Sequence, residues 1–271
     1  DADQAAHGTF RKISIMEDFN MMNKFISFNF NSFKPIAKVK HSVKITEFAD
    51  YVFDKYGEPI CIGIQEFITG GGKYLDELYE AFGKKYYVIT PPSFDYRTHK
   101  RSLVTVTLLK KSIVETYEVI DIGHCLPNRT SYLRAYIDGE PWYIMNCYMV
   151  QTANFSGKAD WFIAQRKEQK EMLWSEVMEE LAKQKDSRII TLGDFQESSD
   201  SSHIKELKEL GYKEATAGLP TVRNDFFAEK NIDHILLSTR AWDEFKPAGF
   251  ALDGDLIDEI SDHCLLVIMS A

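Results

Sequence analysis

Ten short runs of this 271-residue sequence read as β-strands, and that number narrows the available folds more than any other feature. They span residues 24–30, 59–65, 85–90, 103–109, 113–121, 132–137, 142–149, 188–192, 232–237 and 264–269, most of them rich in β-branched or aromatic residues. An open twisted sheet of so many strands tends to curl or split, so two sheets packed face to face are expected. Helical periodicity appears in four places. Phe48, Val52, Phe53 and Tyr56 share a face, with Thr46 as N-cap and Gly57 at C′. Leu75, Leu78, Tyr79 and Phe82 do the same before Gly83, and Ile204, Leu207 and Leu210 before Gly211. The longest helix, about 160 to 185, buries Leu173, Trp174, Val177, Met178 and Leu181. Two helices precede the long run of strands and two follow it, which places helices on the outer faces. The expected class is α/β (α+β): a four-layer α/β/β/α sandwich of two mixed sheets.

No Pro/Ser/Gly-rich linker or repeat divides the chain, and the longest turn cluster, "TGGG" at 69–72, is only loop-sized. Residues 22–271 are therefore expected to form one domain, with 1–21 a tail or an extension foreign to it. With 44% hydrophobic residues the chain can fill a large core. A net charge of −9 argues against holding nucleic acid or anionic membrane by bulk electrostatics, though not against reaching phosphates through a metal or a few local cations. No apolar stretch approaches the roughly 18 residues of a membrane span, so a soluble protein without membrane insertion is expected. Cys61, Cys125, Cys147 and Cys264 have no C-x-x-C spacing and read as reduced thiols, which points to a reducing, cytoplasmic compartment. A monomer is expected.

Five strands end in, or are interrupted by, polar residues. In "KFISFNFNS", Phe25, Ser27, Asn29 and Asn31 share one face and Ile26, Phe28 and Phe30 the other. "PICIGIQEF" closes with Gln65 and Glu66, "IITLGDFQES" with Asp194 and Gln196; "KNIDHILL" opens with Asp233 and His234, and "SDHCLLVIM" with Asp262 and His263. One acid at a strand end is ordinarily a solvated terminus. Five such ends converge if they lie on one rim of a sandwich, and Asn29, Glu66, Asp194 and Asp262 are hard oxygen donors suited to Mg²⁺ or Mn²⁺.

"SFNFN", "IQEF", "GDFQ", "NIDHIL" and "SDHCLLVI" resemble, in order and approximate spacing, the signatures of the endonuclease/exonuclease/phosphatase superfamily, which includes deoxyribonuclease I and the abasic-site endonucleases. The resemblance runs from Lys24 to the C-terminus and implies the four-layer sandwich already read from the strands. It further implies that Asn29 and Glu66 bind a divalent metal with Asp262 nearby. His263 would contact the scissile phosphate with Asp233 as its partner, and Asp194 would position and deprotonate the attacking water. Such a site neutralises charge that grows on the phosphoryl oxygens and the leaving group.

The sequence departs from the family pattern twice. Gln196 stands where asparagine usually orients the nucleophile, one methylene longer. The strand "MNCYMVQT" lacks the second histidine of many members; its Asn146, Tyr148 and Gln151 resemble instead the substrate contacts of the abasic-endonuclease branch. The basic cluster "YRTHKR" reads first as a solvated loop, with Arg97, Lys100 and Arg101 as candidate phosphate anchors. The leading expectation is a Mg²⁺- or Mn²⁺-dependent nuclease acting on DNA. The alternatives are a phosphatase of lipid, inositol or other small phosphoesters, and a binding protein with weakened catalysis.

Overall fold

The computed structural model describes residues 23–31, 41–95, 103–152, 157–223 and 231–270. Residues 1–21, Arg97, Lys100 and Arg101 lie outside them. Among the described residues there are twelve strands: β1 (Lys24–Asn29), β2 (Cys61–Ile68), β3 (Tyr86–Ile89), β4 (Leu103–Lys110), β5 (Val114–Ile120), β6 (Thr130–Ile137), β7 (Glu140–Tyr148), β8 (Arg188–Asp194), β9 (Lys213–Glu214), β10 (Asp233–Leu237), β11 (Pro247–Leu252) and β12 (Leu265–Ser270). The α-helices are α1 (His41–Tyr56), α2 (Lys73–Phe82), α3 (Asp160–Lys183), α4 (Ser202–Glu209), α5 (Thr239–Phe245) and α6 (Asp255–Ile260).

Alternation along β1 sets up the layers. Ile26, Phe28 and Phe30 pack outward with Phe48 and Val52 of α1, Leu78 and Phe82 of α2 and Ile260 of α6. Phe25, on the opposite face, packs between the sheets with Leu133, Ile144, Ile190, Leu192, Ile235, Leu266 and Ile268. Behind the second sheet a third cluster joins Met145, Ile189 and Leu236 to Leu173, Trp174 and Val177 of α3 and to Ile204 and Leu207 of α4. The strand orders are β11-β12-β1-β2-β4-β3 and β5-β6-β7-β8-β10-β9. The expected four-layer sandwich of two mixed sheets is the fold observed.

Topology explains why polar strand ends meet. β1 and β2 run parallel, as do β7 and β8, and a parallel pair needs a crossover, supplied here by α1 and α3. Their C-terminal ends therefore lie side by side, Asn29 level with Gln65 and Tyr148 with Asp194. β10 and β12 pair antiparallel to β8 and β1, so they bring their N-terminal ends to the same edge, Asp233 opposite Asp194.

Several local expectations are corrected. α1 begins at His41, so Thr46 lies inside it rather than capping it, while Gly57 takes the left-handed conformation foreseen at its end. Gly83, by contrast, is right-handed at φ −63°. The short strands β9 and β11 and the helices α5 and α6 add to the elements read from the sequence.

Candidate active site

The rim is assembled from a bulge, a strained turn and two strand starts. In β2 the register shifts between Ile64, opposite Val106, and Phe67, opposite Val104, and Glu66 in the gap adopts φ 51°. Simple alternation would send Gln65 and Glu66 to opposite faces; a bulge re-aims one of them. Gln65 accordingly reaches Ser27 and, at 2.8 Å, Asn146 between the sheets, while Glu66 Oε1 accepts from Asn29 Nδ2 at 3.2 Å. The same Asn29 amide donates to Asp194 Oδ2 at 2.8 Å, so one side chain joins the carboxylates of both sheets. Asn29 Oδ1 receives the backbone N–H of Asn31 at 2.7 Å, which leaves a single lone pair to offer a cation.

β8 delivers Asp194 through Gly193, whose φ of 142° and lack of a side chain let it press against the Cys147 carbonyl, 2.0 Å from where a Cβ would sit. Gln196 follows at φ 54° and holds both oxygens of Asp194, by its backbone N–H at 2.9 Å and its Nε2 at 2.6 Å. The left-handed backbone at Gln196 costs roughly 1–2 kcal/mol. Asp233 is fixed by Thr221 Oγ1, which accepts its N–H at 3.1 Å, and both of its oxygens face His263 Nδ1 at 3.0 and 2.9 Å. His263 Nδ1 therefore donates, and Nε2 meets no acceptor within bonding distance among the described residues; Asp262 Oδ1 stands 4.0 Å away. Asp262 itself accepts from Asn31 Nδ2.

Asp194, Asp233 and His263 place ligand-type atoms within 4.8 Å of one another, all buried. Burial, Asp233 and Glu66 push the Asp194 carboxyl up to about 8, with His263 partly opposing them. Burial pulls the His263 imidazolium down, but Asp233, Asp194 and Glu66 outweigh it and raise it to about 10. Three buried carboxyl groups crowd one imidazolium, and the resulting excess of negative charge is what holds the Asp194 carboxyl above the usual range. A hard divalent cation fits that donor set.

Tyr148 stands level with Asp194, and burial, then Glu66, raises its phenol so that it remains neutral. Gln151 lies half-buried just beyond β7. Asn146 corrects an expectation. It is fully buried between the sheets, its Nδ2 directed at the carbonyls of Ile64 and Val106 and its Oδ1 at Gln65, so it ties the sheets together rather than facing a substrate. Arg97 and Arg101 lie outside the described residues.

Two arginines escaped the sequence reading. Arg129 lays its guanidinium 3.9 Å over the Tyr148 ring and donates to the Met149 carbonyl at 2.9 Å. Arg166 of α3 is lowered by burial and by Arg129, with Tyr148 opposing. Neither is paired with a carboxylate among the described residues. No local signal marks them, because each acquires its neighbour only through folding.

No protein-family model matches the sequence, and neither does any curated protein. Solved structures do. An AP endonuclease from Archaeoglobus fulgidus superposes with a TM-score of 0.62 at 16% identity, over 91% of this chain and 98% of that one. D. rerio TDP2 complexed with a single-strand DNA product gives 0.61 at 17%, over 92% and 98%. A mannosyl-6-phosphatase from Bacteroides thetaiotaomicron gives 0.60 at 15%, over 91% and 98%. The chain has the endonuclease/exonuclease/phosphatase fold. At these identities the likeness establishes architecture, and the chemistry has to be argued from the rim.

Proposed function

We propose that this protein is a divalent-metal-dependent phosphodiester hydrolase, most concretely a deoxyribonuclease or DNA-repair-type endonuclease. The observation that carries the reading is the meeting of Asn29, Glu66, Asp194, Asp233 and His263, from five separate segments of the chain, at one edge of the paired sheets. Glu66 and Asp262, with the spare lone pair of Asn29, would hold the cation. When bound, Mg²⁺ or Mn²⁺ supplies positive charge to the phosphoryl oxygens and lowers the cost of a nucleophilic hydroxide.

The remaining work falls to the chain's own groups. Asp194, oriented by Gln196 and Asn29, would be ionised once a cation offsets the neighbouring carboxylates, and it then accepts the proton of the attacking water. His263 keeps Nδ1–H on Asp233 and turns Nε2–H toward the phosphoryl oxygen, where it stabilises the developing charge. Asp233 maintains the imidazolium. Tyr148 donates its phenolic hydrogen, and Arg129 and Arg166 supply positive charge beside it on an otherwise acidic chain.

DNA as substrate is supported by the fold shared with TDP2 and the AP endonuclease. A small phosphoester is the second reading, supported by the net charge of −9 and the phosphatase of like fold. Plasmid DNA, abasic-site DNA and a panel of small phosphoesters, each with Mg²⁺ or EDTA, separate them. Metal-dependent cleavage of either DNA is expected. Turnover confined to small esters moves the protein to the second reading, and no turnover anywhere removes both.

A further inference from the structure

Behind the rim lies a second buried histidine that the reaction does not use. His234 is fully buried in β10, next to Asp233. Its Nδ1 meets Glu214 Oε1 at 2.7 Å and its Nε2 meets the Glu197 carbonyl at 2.7 Å. Both partners are oxygens that can accept, so each ring nitrogen is directed at one and neither is left over. Burial alone would raise the Glu214 carboxyl, but His234, Lys208 and Ser199 bring it down to about 2. The Glu197 side chain is anchored in turn on Lys170 and, at 2.9 Å, on His203, whose ring stacks on Trp174 with centroids 4.6 Å apart.

These anchors converge on one short segment. Gln196 is held in its left-handed conformation between Asp194 and Glu197, and it is Gln196 that grips both oxygens of Asp194. Removing the tie between His234 and the Glu197 carbonyl frees the far side of that turn. A buried ion pair adds little net stability compared with apolar residues of similar size. Its presence directly behind the rim therefore calls for a reason other than stability.

We propose that His234, clamped between Glu214 and the Glu197 carbonyl, is a positioning residue that fixes the Gln196 turn and through it the direction of the Asp194 carboxylate. The inference rests on the reading that Asp194 and Gln196 serve phosphoester hydrolysis. The test replaces the pair by His234→Leu with Glu214→Leu, which leaves no buried charge unpartnered.

The thermal midpoint is expected to be retained or raised, while kcat falls about 10- to 100-fold with KM unchanged, the usual cost of loosening a supporting contact. Hydrogen exchange at the Gln196 amide, which donates to Asp194, should accelerate about tenfold or more at the same time. Unchanged exchange overturns the proposal, as does unchanged kcat in an active enzyme. If the parent hydrolyses no phosphoester, the functional reading falls and the exchange at Gln196 alone decides this inference. Should the double variant not fold, His234→Phe with Glu214→Gln takes its place, since it also removes the tie to the Glu197 carbonyl; the same acceleration is expected and its absence overturns the proposal.

Discussion

Two buried imidazole–carboxylate pairs sit on consecutive residues of one strand, and they are built to opposite specifications. In His263 with Asp233, one ring nitrogen is spent on the carboxylate and the other meets no acceptor within bonding distance among the described residues. In His234 with Glu214, both nitrogens are spent, and Lys208 and Ser199 complete the carboxylate's coordination. Sequence neighbours Asp233 and His234 thus point into different pairs, as alternation along β10 requires. The lesson is that burial and a carboxylate partner do not by themselves mark a reactive histidine. An unspent nitrogen beside a cluster of carboxyl groups does.

The largest expected effect falls on the open pair. His263→Ala, like Asp194→Asn, should lower kcat by about 10³-fold or more, as measured by phosphoester hydrolysis. Turnover that survives both changes removes the chemical half of the comparison. His234→Ala should lower kcat less, by about 10- to 100-fold, and cost up to about 3 kcal/mol of unfolding free energy in urea, because Glu214 keeps Lys208 and Ser199 but loses its buried imidazole partner. An equal loss of kcat in the two variants would erase the distinction.

Acid should next dissolve the closed pair and its neighbour. Glu214 and Glu197 are each lowered from 4.5 to about 2, the former by His234 and the latter by His203 and Lys170, against the opposing effect of burial. A depressed carboxyl stabilises the fold fully above its unfolded value and loses that contribution as pH falls through its folded one. Urea titrations from pH 5 to about pH 2 should therefore show each group giving up at most about 3 kcal/mol. A flat profile across that window would mean the network contributes nothing. The smallest effect is expected at Gln196→Asn. Asparagine tolerates the left-handed backbone better, so the fold should gain up to about 1 kcal/mol in urea.

The open pair was legible in the sequence and the closed one was not, for a physical reason. Asp233, Asp262, His263, Glu66 and Asp194 each interrupt or end an apolar strand, and an ionisable group in that position stands out against a period of two. Glu197, His203 and Glu214 lie in polar stretches where a charge is unremarkable, and their partners come from distant segments; Glu197 and His234 are separated by 37 positions. The same blindness explains Arg129 and Arg166. Asn146 misled in the opposite direction, because polarity in a strand fits both a substrate contact and a tie between sheets, and only burial separates them. β9, at two residues, and α6, at six, are too short for periodicity to register, and edge strand β11 exposes Ala248 and Phe250 on alternate positions.

One consequence concerns how this chain can change over generations. Gly193 has a neighbouring carbonyl where any side chain would begin, so every mutation of its codon that alters the amino acid must displace the backbone that carries Asp194. Drift can reshape the loops that choose a substrate almost freely, yet this one position allows no intermediate steps. A library covering every residue should recover active clones with many replacements at Gln151 and none at Gly193.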